Sequence, residues 1–238
     1  MKIKNKAVLI TGASAGIGLA TARRFAEAGA KQALVARSAD LLEALAAELR
    51  EQGAEAVAIP ADLRQPEHID RAVEQANNHF GTIDILINNA GQAAAGTIAD
   101  LDPDDFRQII DLNIFGPLLA MQAIIPIMRE HGGGMIINIS SMVSKMRIPG
   151  LAAYAATKSA LNVLSDTARV ELASENIRVI SVFPRLTSTD FQRNSLGSQE
   201  LRQRQRSGTP APVDTPEHVA NMIYTAAVNE PDEQYMDR

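Results

Sequence analysis

Tyr154 and Lys158 in the stretch YAATK stand four residues apart, a spacing that sets a phenol and an ammonium on one face of a helix. An ammonium beside a phenol favours the phenolate and draws the tyrosine pKa down from about 10, which makes the phenol a general acid or base for a hydroxyl or carbonyl oxygen. Alone, such a pair is more often a solvated helix face. Its weight comes from three other stretches: Ser140-Ser141, Asn113 in DLNIFG, and Asn88-Asn89-Ala90-Gly91. A serine hydroxyl on the same substrate oxygen would stabilise the charge that develops there. Gly116-Pro117 interrupts the helical ladder just after Asn113, so a local opening there seats a water joining Asn113 to Lys158.

A second constellation lies at the start, in KAVLITGASAGIG. An apolar run, Ala7 to Ile10, enters a loop with glycines at 12, 16 and 18, and an amphipathic helix, Ile17 to Ala28, follows. A glycine loop between strand and helix lets backbone N–H groups approach a ligand and aims the positive helix end at it, so the natural ligand is a phosphate. The spacing, Gly-x3-Gly-x-Gly, differs from the common dinucleotide fingerprint. The next strand ends at Val35-Ala36-Arg37, where an acidic residue would read an unphosphorylated ribose. A guanidinium there suits a 2′-phosphate, so NADP is expected over NAD.

These residues need elements to position them. Short apolar runs (AVLI, QALVA, AVAIP, IDILIN, GMIINIS, IRVISVF) alternate with helical stretches such as LLEALAAELREQG from Ala7 to about Phe183. That alternation predicts an α/β fold, a doubly wound (Rossmann) parallel sheet with helices on both faces, in a single domain spanning 1–238. Ligands of open parallel sheets sit outside the carboxyl ends of the strands, which is where the glycine loop, NNAG and the serines fall. Residues 185–215 are polar and end in three prolines, and are expected to form a lid before a helix over Pro216 to Asn229. Any strand after that is short.

Composition removes other classes. A net charge of −5 argues against broad nucleic-acid binding, and the absence of cysteine removes disulfides and thiolate metal sites. The four histidines (68, 79, 131, 218) are scattered, so no metal is expected. The most apolar segment, Leu112 to Met128, carries Asn113, Gln122 and two prolines and falls short of the roughly 20 residues a bilayer needs. With an N-terminal apolar run too short for a signal peptide, the chain reads as cytoplasmic. In the lid, Arg185, Arg193, Arg202, Arg204 and Arg206 are set against Asp190 and Glu200, an asymmetry that suits an anionic or polar substrate.

Taken in order, TGASAGIG, NNAG, the Asn113 segment, INISSMVS, YAATK and the Phe-Pro after the sixth strand resemble the short-chain dehydrogenase/reductase family over most of the chain. The resemblance selects Ser141 over Ser140, thirteen residues before the tyrosine, and implies a catalytic set of Asn113, Ser141, Tyr154 and Lys158. It also implies cofactor contacts from Gly12, Ser14, Gly16, Ile17 and Gly18, from Asp62 and Leu63 at the adenine, and from Asn89, Ala90 and Gly91 near the adenosine ribose. Lys158 would also hold the nicotinamide ribose, beside Tyr154. Pro184 and either Thr187 or Thr189, with Thr189 favoured by spacing, would meet the carboxamide. The family's glycine after Pro184 is here Arg185, a residue that does not take positive φ cheaply and that would bring a cation beside the nicotinamide pocket. Further implications are a seven-stranded sheet, a homodimer or homotetramer, and hydride exchange between NADP and a small carbonyl or secondary alcohol.

Three rival readings stand beside it. A non-catalytic NAD(P)-binding redox sensor would have no use for the proton machinery. A nucleotide-sugar epimerase or dehydratase would need a larger C-terminal lobe and a different glycine spacing. An enoyl reductase would space the tyrosine and lysine further apart.

Overall fold

The computed structural model describes residues 1–191, 194–197 and 213–236. Seven strands form one sheet in the order β3-β2-β1-β4-β5-β6-β7, every neighbouring pair parallel. The strands are β1 (Ala7–Thr11), β2 (Lys31–Ala36), β3 (Ala56–Pro60), β4 (Ile85–Asn88), β5 (Gly134–Ile139), β6 (Ile177–Phe183) and a three-residue β7 (Glu233–Tyr235). The helices are α1 (Gly16–Glu27), α2 (Ala39–Glu51), α3 (Pro66–Phe80), α4 (Pro103–Ile110), α5 (Gly116–Glu130), α6 (Ala152–Leu172) and α7 (Pro216–Asn229).

The strands read as continuous apolar runs because both of their faces are covered. Alternate residues enter two cores. Val8, Ile10, Leu34, Ile85, Ile137 and Val182 pack with Phe25 of α1, Leu42 and Leu45 of α2, and Val219 and Ile223 of α7. Leu9, Val35, Ile59, Leu86, Ile136 and Val179 pack on the opposite face with Ile69 and Val73 of α3 and Met121, Ile124 and Met128 of α5. The chain builds β1 to β3 outward on one side and then returns to lay β4 on the other side of β1. That reversal opens a crevice between the carboxyl ends of β1 and β4.

One element departs from expectation. Pro103 to Glu130 is a continuous helical run, longer than the apolar stretch Leu112 to Met128, and by length and composition alone it could cross a membrane. In the fold it lies against the sheet, with Ala120, Met121, Ile124 and Met128 in the second core. Its middle, Asp111–Phe115, is a π-helix, so the ladder does open beside Gly116-Pro117.

Candidate active site

The glycine loop is built by backbone conformations that side chains resist. Gly12 and Gly16 take φ of +69° and +55°. At Gly18 space decides instead: a Cβ there would lie 2.1 Å from the Gly12 carbonyl oxygen and 2.6 Å from the Asn89 amide nitrogen. Helix α1 starts at Gly16 with Ala15 as its cap, no side chain satisfying its first N–H groups and no acidic residue in its first turn. Uncapped donors and the positive helix end therefore face the crevice, with Ser14 and Ile17 half-buried beside them. That cradle fits a phosphate.

Thr11, which sequence reasoning passed over, locks the loop after β4 to this cradle. Its hydroxyl accepts from the Asn89 and Ala90 N–H groups at 2.9 and 3.0 Å and donates to the Ile87 carbonyl at 3.2 Å. The Asn89 amide donates back to the Thr11 and Gly12 carbonyls at 2.9 and 3.3 Å. Its NH2 thus shapes the loop, a structural task beside the ribose contact that the resemblance implies for Asn89. Asn88, its neighbour, donates to Asn138 of β5 at 2.9 Å, and Asn138 donates to Ser165 of α6 at 2.8 Å, a buried polar line below the crevice.

At the far end of the crevice Arg37 is exposed just beyond β2. Asp62, expected at an adenine, is forked by Arg64: Nε to Oδ1 at 3.0 Å and Nη2 to Oδ2 at 2.6 Å. The Arg64 guanidinium is the main cause that holds the Asp62 carboxyl below its ordinary range, against the opposing effect of burial, and Arg37 adds to it. Two cations thus act on one carboxylate. Arg64 received no assignment from the sequence. The Asp62 N–H donates to His68 Nδ1 at 3.2 Å, and Leu63 is buried in the second core.

Tyr154 and Lys158 lie on one face of α6, with the ammonium 5.9 Å from the centre of the phenol ring. Lys158 is buried and donates to the Ile139 carbonyl at the end of β5 at 2.8 Å. Ser140 turns away, donating to Asn162 at 2.5 Å, while Ser141 hydrogen-bonds the phenol. Gly91 packs between Asn113 and Lys158: a Cβ on it would lie 3.3 Å from Asn113 Oδ1 and 3.5 Å from Lys158 Nζ. The Asn113 carboxamide uses both of its N–H donors and one acceptor site. It accepts from the Gln92 N–H at 3.0 Å and donates to the Gln92 carbonyl at 2.8 Å and to Thr157 at 3.0 Å. Pro117, four residues on, has no N–H to offer the Asn113 backbone carbonyl.

The electrostatics differ from the sequence expectation. The residue Tyr154 is half-buried, yet enough protein surrounds its hydroxyl that burial pushes the phenol up to about 12, with Ser141 acting in the lowering direction. Burial also pushes Lys158 down to about 8. Desolvation disfavours both charged forms and outweighs the attraction expected from i and i+4 proximity.

The segment after β6 closes over this site. Pro184 is buried and its carbonyl accepts from the Met142 N–H at 3.0 Å. The Thr187 hydroxyl turns to the Arg185 carbonyl at 3.1 Å, whereas the Thr189 methyl lies where it would sit 3.1 Å from a Cβ on Gly16. Of the two threonines, Thr189 is therefore the one at the glycine loop. Phe191 packs on Tyr154 with ring centres 5.5 Å apart.

Arg185 behaves differently from expectation on two counts. It does not adopt positive φ, so the absence of glycine brings no strain. It also pairs with buried Asp214, Nε to Oδ2 at 3.1 Å and Nη2 to Oδ1 at 3.3 Å, and Asp214 belongs in the lid's charge balance. Arg193, Arg202, Arg204 and Arg206 lie outside the described residues. Backbone bonds from Asp214 to Leu186 and from Ser188 to Asp214 join the two ends of the excursion at the same point. Arg185→Ala is expected to destabilise the fold by about 1–2 kcal/mol, since buried Asp214 then keeps only a 3.4 Å contact to the His218 ring as an ion-pair partner among the described residues. Melting followed by circular dichroism should fall by roughly 2–4 °C per kcal/mol. An unchanged melting point with a raised KM for anionic substrates would return Arg185 to the substrate.

A model of the short chain dehydrogenase family matches residues 6–200. The chain belongs to the short chain dehydrogenase family. An uncharacterised oxidoreductase of Listeria monocytogenes is 34% identical over 98% of this chain and 94% of its own length. Among solved structures, a short-chain dehydrogenase from Sphingobium yanoikuyae in complex with NADPH is 32% identical, with a TM-score of 0.85 over 97% of this chain and 87% of that one. A 3-ketoacyl-(acyl-carrier-protein) reductase from Brucella melitensis complexed with NADH is 29% identical, with a TM-score of 0.86 over 99% and 98%. The fold of this family member is thus the family's Rossmann-like seven-stranded sheet, and its class is oxidoreductase.

Proposed function

We propose that this family member is an NADP-dependent oxidoreductase that interconverts a small carbonyl compound and its secondary alcohol, with Tyr154 as general acid and base. The observation that carries the reading is the convergence of Ser141, Tyr154 and Lys158 beside the glycine cradle, on a crevice whose floor is the carboxyl ends of β1, β4 and β5. Relatives that bind NADH or NADPH support a nicotinamide cofactor.

The bound nicotinamide supplies or takes up the hydride; the rest is the work of the chain. The uncapped α1 N–H groups, with Gly12 and Gly16, hold the pyrophosphate. Asn89, Ala90 and Gly91 line the adenosine side, Asp62 and Leu63 the adenine, and Thr189, with Pro184, the carboxamide end. In reduction the Tyr154 phenol gives its proton to the substrate oxygen, and Ser141 holds that oxygen as charge develops on it. The Lys158 ammonium stabilises the phenolate left behind and binds the nicotinamide ribose. A phenol held near 12 is a proton donor throughout the neutral range, so the reductive direction suits this site at pH 7. The lid role expected of 185–215 is supported by the described part after β6, where Phe191 packs on Tyr154; residues 192–193 and 198–212 lie outside the described residues.

Preference for NADP rests on Arg37, exposed at the end of β2 and free of the acidic residue that would read a bare ribose. Titration with NADPH and NADH, followed by reduced-nicotinamide fluorescence, is expected to give at least tenfold tighter NADPH binding, about 1.4 kcal/mol. Arg37→Ala should erase the difference while leaving NADH unchanged. Equal affinities in the wild type would remove the NADP assignment and leave the oxidoreductase.

A further inference from the structure

Gln92 follows the NNAG loop and has no part in the readings above, yet it bridges the Asn113 region and the segment covering Tyr154. Its backbone is gripped from both sides by the Asn113 carboxamide, and Asn113 is tied through Thr157 to the Tyr154 carbonyl on α6. Its side chain reaches the other way and donates to the Asn194 carbonyl at 2.7 Å. Beyond it the contact continues as a short parallel bridge, with the Leu196 N–H donating to the Ala93 carbonyl at 2.8 Å and the Ala95 N–H to the Leu196 carbonyl at 2.9 Å. The Leu196 side chain packs with Ala94, Ile109 and Ala153, the residue before Tyr154. Ser195 donates to the Phe191 carbonyl at 3.4 Å, so the same segment also carries the ring that lies on the phenol.

We propose that Gln92 is a positioning residue, whose amide holds the segment Asn194–Gly197 in place and so keeps Phe191 over Tyr154. It rests on the reading of Tyr154 as the proton-handling group. The hydrogen bond is the one side-chain tie between the NNAG loop and this segment among the described residues; the others are backbone bonds at a two-residue bridge and the Leu196 contact. An amide with one end immobilised by Asn113 loses little freedom in reaching Asn194, which makes it an effective tether. Without it Phe191 lifts and water reaches the phenol.

The test uses the tyrosines themselves, because the chain has three tyrosines and no tryptophan. Tyrosinate absorbance is measured at pH 11 in the wild type, Gln92→Leu and Gln92→Glu, and that of each protein's own Tyr154→Phe partner is subtracted from it to isolate Tyr154 from Tyr224 and Tyr235. A phenol held at about 12 is roughly one-tenth ionised at that pH, whereas one returned to about 10 is roughly nine-tenths ionised. The expected result is a several-fold rise in the Tyr154 signal in Gln92→Leu. Gln92→Glu at pH 11 has no proton to donate to Asn194 and should do the same, so it carries the test if Gln92→Leu fails to fold. An unchanged Tyr154 signal in a folded variant would overturn the proposal. The readout needs neither substrate nor cofactor, so it stands or falls apart from the oxidoreductase reading, which Tyr154→Phe turnover tests.

Discussion

Tyr154→Phe is expected to lower kcat for carbonyl reduction by about 10²- to 10⁴-fold, the range general acid catalysis supplies, while leaving NADPH affinity within about twofold. The ring keeps its contact with Phe191, and the change removes one hydroxyl with its Ser141 partner. Wild-type turnover should also carry the signature of Lys158. Its ammonium, lowered to about 8 by burial, is lost above that pH, so the rate of reduction should be flat from pH 6 to 7 and fall about tenfold per unit above 8. Lys158→Met should be slow throughout and lack that limb. Turnover that survives Tyr154→Phe would move the proton donor elsewhere.

The same two groups act on stability with opposite signs. Tyr154 has a raised folded pKa, so its contribution is complete below about 10 and is lost as the pH rises to about 12. Lys158 has a lowered one, so its contribution is complete above about 10.5 and is lost as the pH falls to about 8.

Gly18→Ala is expected to abolish nucleotide binding, with at least a hundredfold weaker NADPH affinity. The reason is space: φ at Gly18 is ordinary, but the new methyl would meet the Gly12 carbonyl oxygen at 2.1 Å and its carbon at 2.8 Å, both backbone atoms. Either α1 or the glycine loop must move. Overpacking of this kind costs about 1–3 kcal/mol in stability. Moving the loop also pulls on Asn89, whose amide nitrogen lies 2.6 Å from the same methyl and bonds the Thr11 and Gly12 carbonyls. Fluorescence titration and thermal melting check the two effects together. Wild-type NADPH affinity in a folded Gly18→Ala protein would mean that the cradle is not the phosphate site.

The architecture and the positions of the candidate site residues were legible in the sequence because they rest on local signals. Apolar runs of strand length, separated by amphipathic stretches, dictate a parallel sheet buried on both faces, and glycines at 12 and 16 mark turns that side chains resist. The i and i+4 spacing alone puts Tyr154 and Lys158 together, and Gly116-Pro117 marks the opening at Asn113. The protonation of these groups was not legible. Spacing predicted a lowered tyrosine, but the degree of burial depends on Phe191 and other parts of the chain far away in sequence, and it reverses the direction. Partners of long side chains were equally hidden: Arg64 on Asp62, Arg185 on Asp214, Asn89 on the glycine loop, Gln92 on Asn194. Flexible side chains choose among several polar groups that tertiary folding brings within reach, and no periodicity encodes that choice. The order of strands and helices and the turns at the glycines are thus written in the chain, while local burial, charge state and hydrogen-bond pairing belong to the folded molecule.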